Sequence, residues 1–273
     1  MTREPLTLVR LIPPGATVEV AAGDHVEPET VLATGHLDRK VLRLPAGDNF
    51  ELLKKPGDPV KKGEAVAVME ELFGLGLREL VSPCDGVMES VNARRTALVL
   101  TGSDAKIRAL VRGRVEAVED SEVRLQVRGE RIRGWFGFGR AVAGEVYRIH
   151  EFFTPSEVRR RIGPEVAGRV VLCASFVLPE VITTLARYGA AALVCASLDF
   201  APLWDLISPT GPHPAGRGLP TLVVVEGFGV HGLGPEAAGT LGAAEGRVVY
   251  AAGPALDRLV FAGPPYAEVL IPG

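Results

Sequence analysis

Alternation of apolar and charged residues dominates the first half of the chain. Leu11-Ile12, Val18-Glu19-Val20, Val41-Leu42-Arg43-Leu44 and Ala97-Leu98-Val99-Leu100 are short stretches of strand period, bounded by Gly, Pro and Asp. Residues 20–33, VAAGDHVEPETVLA, align with residues 54–67, KKPGDPVKKGEAVA, an internal repeat offset by 34 positions. In each copy a Gly-Asp turn separates two strand-like segments. The Gly supplies a positive φ and the Asp side chain can bond back to the turn backbone. Residues 1–105 are expected to form one small all-β domain.

The strand period continues through Val111, Val115, Val118, Val123, Leu125 and Val127, and residues 106–153 are expected to form a second, basic β domain. It holds RIRGWFGFGRAVAGEVYRI (131–149), where Gly134, Gly137, Gly139 and Gly144 separate aromatic residues. Glycines at that spacing predict a kinked hairpin or a bulge, with Trp135 and Phe136 packed between domains.

After Thr154-Pro155 the pattern changes. Buried strands are expected over 168–175, 191–197, 219–229, 247–253 and 267–272. Helices are expected over Pro179–Tyr188, with Pro at the first turn, over 200–207, and weakly over 234–246. Alternating strands and helices predict a mainly parallel α/β domain with βαβαβ order over 154–273. The fold class is therefore mixed, two β domains followed by α/β.

Composition narrows the function. Hydrophobic residues make up 47% of the chain and aromatics 6%, so the core is Val, Leu and Ala. Three cysteines cannot build a disulfide framework, the first residues lack a secretory pattern, and no apolar run is long enough to span a bilayer. A cytoplasmic protein without membrane insertion is the expectation. The net charge of −3 is uneven: residues 106–164 carry 13 Lys and Arg against 8 Asp and Glu. That basic middle is a solvated face, or it meets an acidic partner, another copy of the chain, or nucleic acid.

The six lysines are at 40, 54, 55, 61, 62 and 106, so the C-terminal part holds neither a P-loop lysine nor a Schiff-base lysine. Gly227, Gly229 and Gly232 satisfy G-x-G-x-x-G after an apolar strand, but no acid follows the next strand, and a tight strand-to-helix turn is the simpler reading. VLCAS and LVCAS recur 22 residues apart, which would set Cys173 and Ser175 level with Cys195 and Ser197. With Asp199 and Glu226 these serines would line the C-terminal edge of a parallel sheet, where open α/β folds bind ligands. The cysteines read as inert core thiols, and no metal-ligand spacing is present. The arginines 128, 131, 133 and 140 around Trp135 and Phe136 would make a basic aromatic face.

Gly23–Val26, Gly57–Val60 and Pro83-Cys84-Asp85-Gly86 carry a resemblance. The segments 20–33, 54–70 and 82–91 resemble the barrel-sandwich hybrid of biotinyl and lipoyl domains, and still more the lysine-free N-terminal module of Rnf/Nqr C-type subunits. The whole chain is similar to an uncharacterised prokaryotic family that joins such a module to a GxFGxG segment, an EGFG motif and a C-terminal EVLIP, here Gly134–Gly139, Glu226–Gly229 and Glu268–Pro272. The resemblance implies a carrier-like scaffold, yet no lysine stands between Gly63 and Pro83, so no covalent biotin or lipoate is expected. The hairpin tip instead offers Phe73, Leu75 and Leu77, either tucked against a neighbouring domain or used for docking.

Three functions follow. A non-catalytic scaffold or adaptor would dock a protein partner or another copy through Phe73–Leu77 and through Arg131, Arg133, Trp135, Phe136 and Arg140. Alternatively, an α/β protein would bind a small ligand or nucleotide at Ser175, Ser197, Asp199, Glu226, Gly227, Gly229 and Gly232. Nucleic-acid binding through the basic segment is the least favoured. No catalytic residue and no metal site stand out.

Overall fold

The Gly-Asp repeat builds the same turn twice. Gly23 and Gly57 adopt φ of 99° and 96°, a region that L side chains rarely enter. Asp24 and Asp58 accept the backbone N–H groups of Ala21 and Lys55 at 2.8 and 2.7 Å. The computed structural model describes residues 5–12, 16–35, 38–43, 50–55, 57–70, 77–82, 84–91, 96–101, 105–152, 154–208, 210–213, 216, 218–254 and 267–273.

The chain begins with β1 (Leu6–Leu11), β2 (Thr17–Val18), β3 (His25–Val26) and β4 (Val31–Gly35). Next come β5 (Asp38–Arg43), β6 (Phe50–Leu52), β7 (Pro59–Val60), β8 (Ala65–Glu70), β9 (Leu77–Val81), β10 (Gly86–Val91) and β11 (Thr96–Thr101). Then follow β12 (Ala105–Arg108), β13 (Gly113–Glu119) and β14 (Glu122–Val127). Among the described residues β5–β11 pair only with one another, in sheets ordered β5-β11-β10-β7 and β6-β8-β9. The strands on either side pair together, as β1-β14-β13-β3 and β12-β4-β2.

These two sets of seven strands share one connectivity. The strands β1, β2, β3, β4, β12, β13 and β14 correspond in order to β5 through β11. One module is thus inserted whole between the fourth and fifth strands of another. The correspondence extends to single contacts. Gly23 N–H donates to Val115 O and Val115 N–H to Asp24 O, just as Gly57 N–H donates to Met88 O and Met88 N–H to Asp58 O. Val60, Val66, Cys84 and Met88 form the inner core, and their counterparts Val26, Leu32, Val111 and Val115 lie in the outer one. The two repeat copies therefore belong to separate modules rather than to one domain over 1–105. The boundary expected at residue 105 falls on β12, and β1 pairs along its whole length with β14.

The remaining strands are β15 (Gly129–Gly134), β16 (Phe136–Phe138), β17 (Val142–Ile149), β18 (Val170–Val177), β19 (Ala192–Leu198), β20 (Thr221–Phe228), β21 (Val248–Ala252) and β22 (Ala267–Pro272). They order as β15-β22-β21-β17-β18-β19-β20-β16. Only Trp135 separates the two end strands, so the sheet closes on itself through one kinked stretch of chain. No hairpin forms at the Gly-aromatic segment: β15 pairs with β22, and β16 with β20. The glycines permit this closure by close approach. A Cβ on Gly137 would lie 2.2 Å from Leu222 O and 2.5 Å from Ala267 Cβ, and one on Gly134 2.7 Å from Val224 O. Strands β17–β20 are parallel, including β17, expected in the separate basic β domain, whereas β21 and β22 run antiparallel to their neighbours. Across the chain the fold is β-rich.

Both faces of the parallel strands are buried, and the alternation is strict. Val170, Leu172, Ala192, Val194, Val223 and Val225 face the inside of the closed sheet with residues of β21 and β22. Val171, Cys173, Leu193, Cys195, Leu222 and Val224 face outward under the helices α1 (Pro155–Arg161), α2 (Pro179–Arg187) and α3 (Phe200–Ile207). Helix α4 (Pro235–Gly242) adds Leu241 to the core inside the closed sheet. Tyr250 and Leu270 point the other way and join the outer module's core. At that seam the Arg10 guanidinium donates to Tyr250 Oη at 3.3 Å and to Arg108 O at 2.8 Å.

Candidate functional site

Helix α3 follows β19 directly, and the apolar stripe of its sequence, FAPLWDLI, is only partly covered. Leu203 and Ile207 are buried, which turns Phe200 and Trp204 outward, 46% and 48% exposed. Beside them Phe228 ends β20, 41% exposed. The ring centroids of Phe200 and Trp204 lie 6.0 Å apart, those of Phe200 and Phe228 5.1 Å, and those of Phe228 and Phe136 5.3 Å. Trp135 borders this row, since a Cβ on Gly227 would come within 4.0 Å of the Trp135 Cβ. It is 83% exposed, and Val230 75%. Both tryptophans of the chain thus stand in solvent on one rim. Trp135 is not packed between domains, because the kink that closes the sheet turns it outward. Contiguous exposed apolar surface of this kind marks contact sites.

The strand-end residues adjoin this rim but do not form an open binding site. The β18–β19 register shifts between Cys173 and Phe176, so Cys173 faces Cys195 while Ser197 faces Phe176. Ser175 and Ser197 are therefore not at equivalent points. Ser197 is fully buried, and its hydroxyl donates to His231 O at 2.8 Å and accepts His231 N–H at 2.9 Å. Ser175 is half-buried and Asp199 exposed, at the position preceding α3 without a side-chain capping bond.

The glycine loop is a tight turn rather than an anion cradle. Gly227 and Gly229 take φ of 111° and 102°, as the turn requires. Gly229 N–H donates to Leu198 O and Leu233 N–H to Ala174 O. Gly234 N–H donates to Glu226 Oε1 at 2.8 Å. A phosphate needs such donors free, and here they are engaged. Glu226 also places a carboxylate at the N-terminal end of α4, where an anion would otherwise bind. Gly232 passes over Ala174 O, 3.7 Å from its would-be Cβ.

Burial pushes both the Cys173 and Cys195 thiols up, and neither is poised as a nucleophile. Among the described residues no group of three His, Cys, Asp or Glu side chains is placed to hold a metal.

The basic face is partly internal. Arg131 pairs with Glu268 at 3.1 Å, both largely buried, and donates to Thr7 O, which ties the closed sheet to β1. Arg133 also acts on Glu268. Arg140 lies beyond Gly139, its carbonyl held by the Thr221 hydroxyl at the start of β20, the opposite end from Phe228. Arg128 is exposed. The expected docking residues Phe73 and Leu75, and the side chain of Leu77, lie outside the described residues. Of the remainder, the structure brings Trp135 and Phe136 together with Phe200, Trp204, Phe228 and Val230. Phe200, Leu203, Trp204 and Ile207 stand at i, i+3, i+4 and i+7, the spacing of a single apolar stripe, so the sequence carried no signal that Phe200 and Trp204 would be exposed. Comparison with protein-family models finds no match, and comparisons with curated proteins and with solved structures find no significant one.

Proposed function

We propose that this protein is a non-catalytic scaffold that docks a protein through the aromatic rim of its closed sheet. The row of exposed Trp204, Phe200 and Phe228, continued by the half-buried Phe136 and flanked by Trp135, carries this reading. Aromatic anchors of this type dominate protein contact energies. The engaged donors of the glycine loop weigh against the ligand-binding alternative, and the internal pairing of Arg131 weighs against nucleic acid.

The nested modules support the same reading. Two seven-stranded units with one strand order are what a pair of barrel-sandwich hybrids would present. In carriers of that kind the lysine sits on the hairpin tip. Here the chain leaves the outer module at the equivalent place to build the inner one, and no lysine stands on the inner hairpin. The protein carries no covalent arm in this reading and works by contact alone.

A photo-crosslinking residue placed at Trp204 or Phe228 tests it, with Val248 (59% exposed) as a control elsewhere on the surface. In cells that naturally make the protein, the rim positions should give one discrete adduct, lost when Trp135 and Phe200 are replaced by Ser. No adduct from the rim, or an equal one from Val248, would overturn the proposal.

A further inference from the structure

Resting on that docking reading, we infer that the occupant of the rim is a cationic polypeptide segment with apolar anchors. Ring geometry favours side chains as the occupant. Phe200 and Trp204 are inclined by 23°, Phe200 and Phe228 by 71°, and Phe136 and Phe228 by 53°. Rings set at such varied angles form notches that apolar side chains fill.

Charge sets the partner's sign. Asp199 immediately precedes Phe200 and Asp205 follows Trp204, and both are exposed. The nearby arginines do not balance them. Arg133 acts on Glu268, and Arg140 lies at the far end of β20. A two-fold contact with a second copy would bring these carboxylates face to face, which is repulsive. Arg or Lys side chains would meet carboxylates and aromatic faces together, since a guanidinium within about 6 Å of a Trp ring is attracted to its π face.

Both tryptophans belong to this rim, so intrinsic fluorescence reports occupancy without a label. Random twelve-residue peptides, themselves free of Trp, are selected on the intact protein and depleted on a Trp135→Ser/Phe228→Ser variant shown to be folded by its melting curve. Peptides that survive should carry net positive charge with aromatic or aliphatic anchors, and should blue-shift the tryptophan emission. Their affinity should fall about tenfold in Asp199→Asn/Asp205→Asn, and with added salt.

Rim-specific peptides that are neutral or acidic would overturn the cationic partner while leaving the docking reading intact. No rim-specific peptide at all would overturn a peptide occupant, and the crosslinking result then judges docking by itself. A protein that dimerises in sedimentation with its tryptophan emission already blue-shifted would overturn it in favour of a second copy.

Discussion

The Ser197 hydroxyl holds the backbone of His231 from both sides, donating to its carbonyl and accepting from its N–H. This fully buried side chain pins the loop between β20 and α4 to the end of β19. Ser197→Ala would leave two backbone groups without their partner. A loss of about 1–3 kcal/mol is expected from denaturant unfolding, the cost of unsatisfied buried polar groups. Amide exchange at His231 should accelerate in the variant, and unchanged exchange would show that the loop is held by other contacts.

Two glycines should respond in opposite directions to the same substitution. Gly137→Ala forces a methyl against Leu222 O and Ala267 Cβ, so it should destabilise by about 1–3 kcal/mol or more. Gly239 lies within α4 with nothing near its would-be Cβ. There Ala should stabilise by about 0.5–1 kcal/mol through helix propensity. Paired melting curves check both signs.

Burial raises the Glu268 carboxyl above the ordinary carboxylate value, with Arg131 and Arg133 opposing the rise. Between the ordinary value and the raised one, the folded chain holds a proton that the unfolded chain has lost. The stability this group contributes is therefore full below the ordinary value and is lost as pH rises through the folded one. Glu268→Gln removes that slope. Its stability relative to the native protein should improve as pH is raised from about 4 to about 7, and a flat difference would contradict the assignment.

All three cysteines are buried, and burial raises the thiols of Cys173 and Cys195. An aromatic disulfide reagent should react with none of them promptly in the native protein and with all three in denaturant. Fast native reaction of one thiol would reveal local opening at its strand.

Gly35 and Ala105 are register partners across β4 and β12. A two-residue turn could therefore replace the inner module, because hairpin partners need no longer connection. The shortened chain should keep its cooperative unfolding and its two exposed tryptophans. Loss of folding would show that the inner module stabilises the outer one.

Local chemistry made much of the fold legible. The Gly-Asp turns, the parallel strands and the helices α2 and α3 follow from spacing, Pro and Gly alone. Helix α1, absent from the expected helices, is legible too in the T-P-S-E sequence, whose Thr154 and Glu157 form a capping box. The rim residues Trp135 and Phe136 stood out as aromatic residues among glycines, but whether they faced inward was not written locally.

By itself the sequence determined the period of each segment, the doubled turn and the absence of a lysine on the inner hairpin, because each depends on residues close along the chain. Tertiary structure alone decided that β4 continues its pairing at β12 rather than at β5. Two near-identical patterns offer equivalent local partners, and only the packing of two complete cores separates them. It also decided the rim. Phe136, Phe200 and Phe228 come from three distant segments, and they meet because the sheet closes through a stretch whose glycines let β20 and β22 approach one strand together.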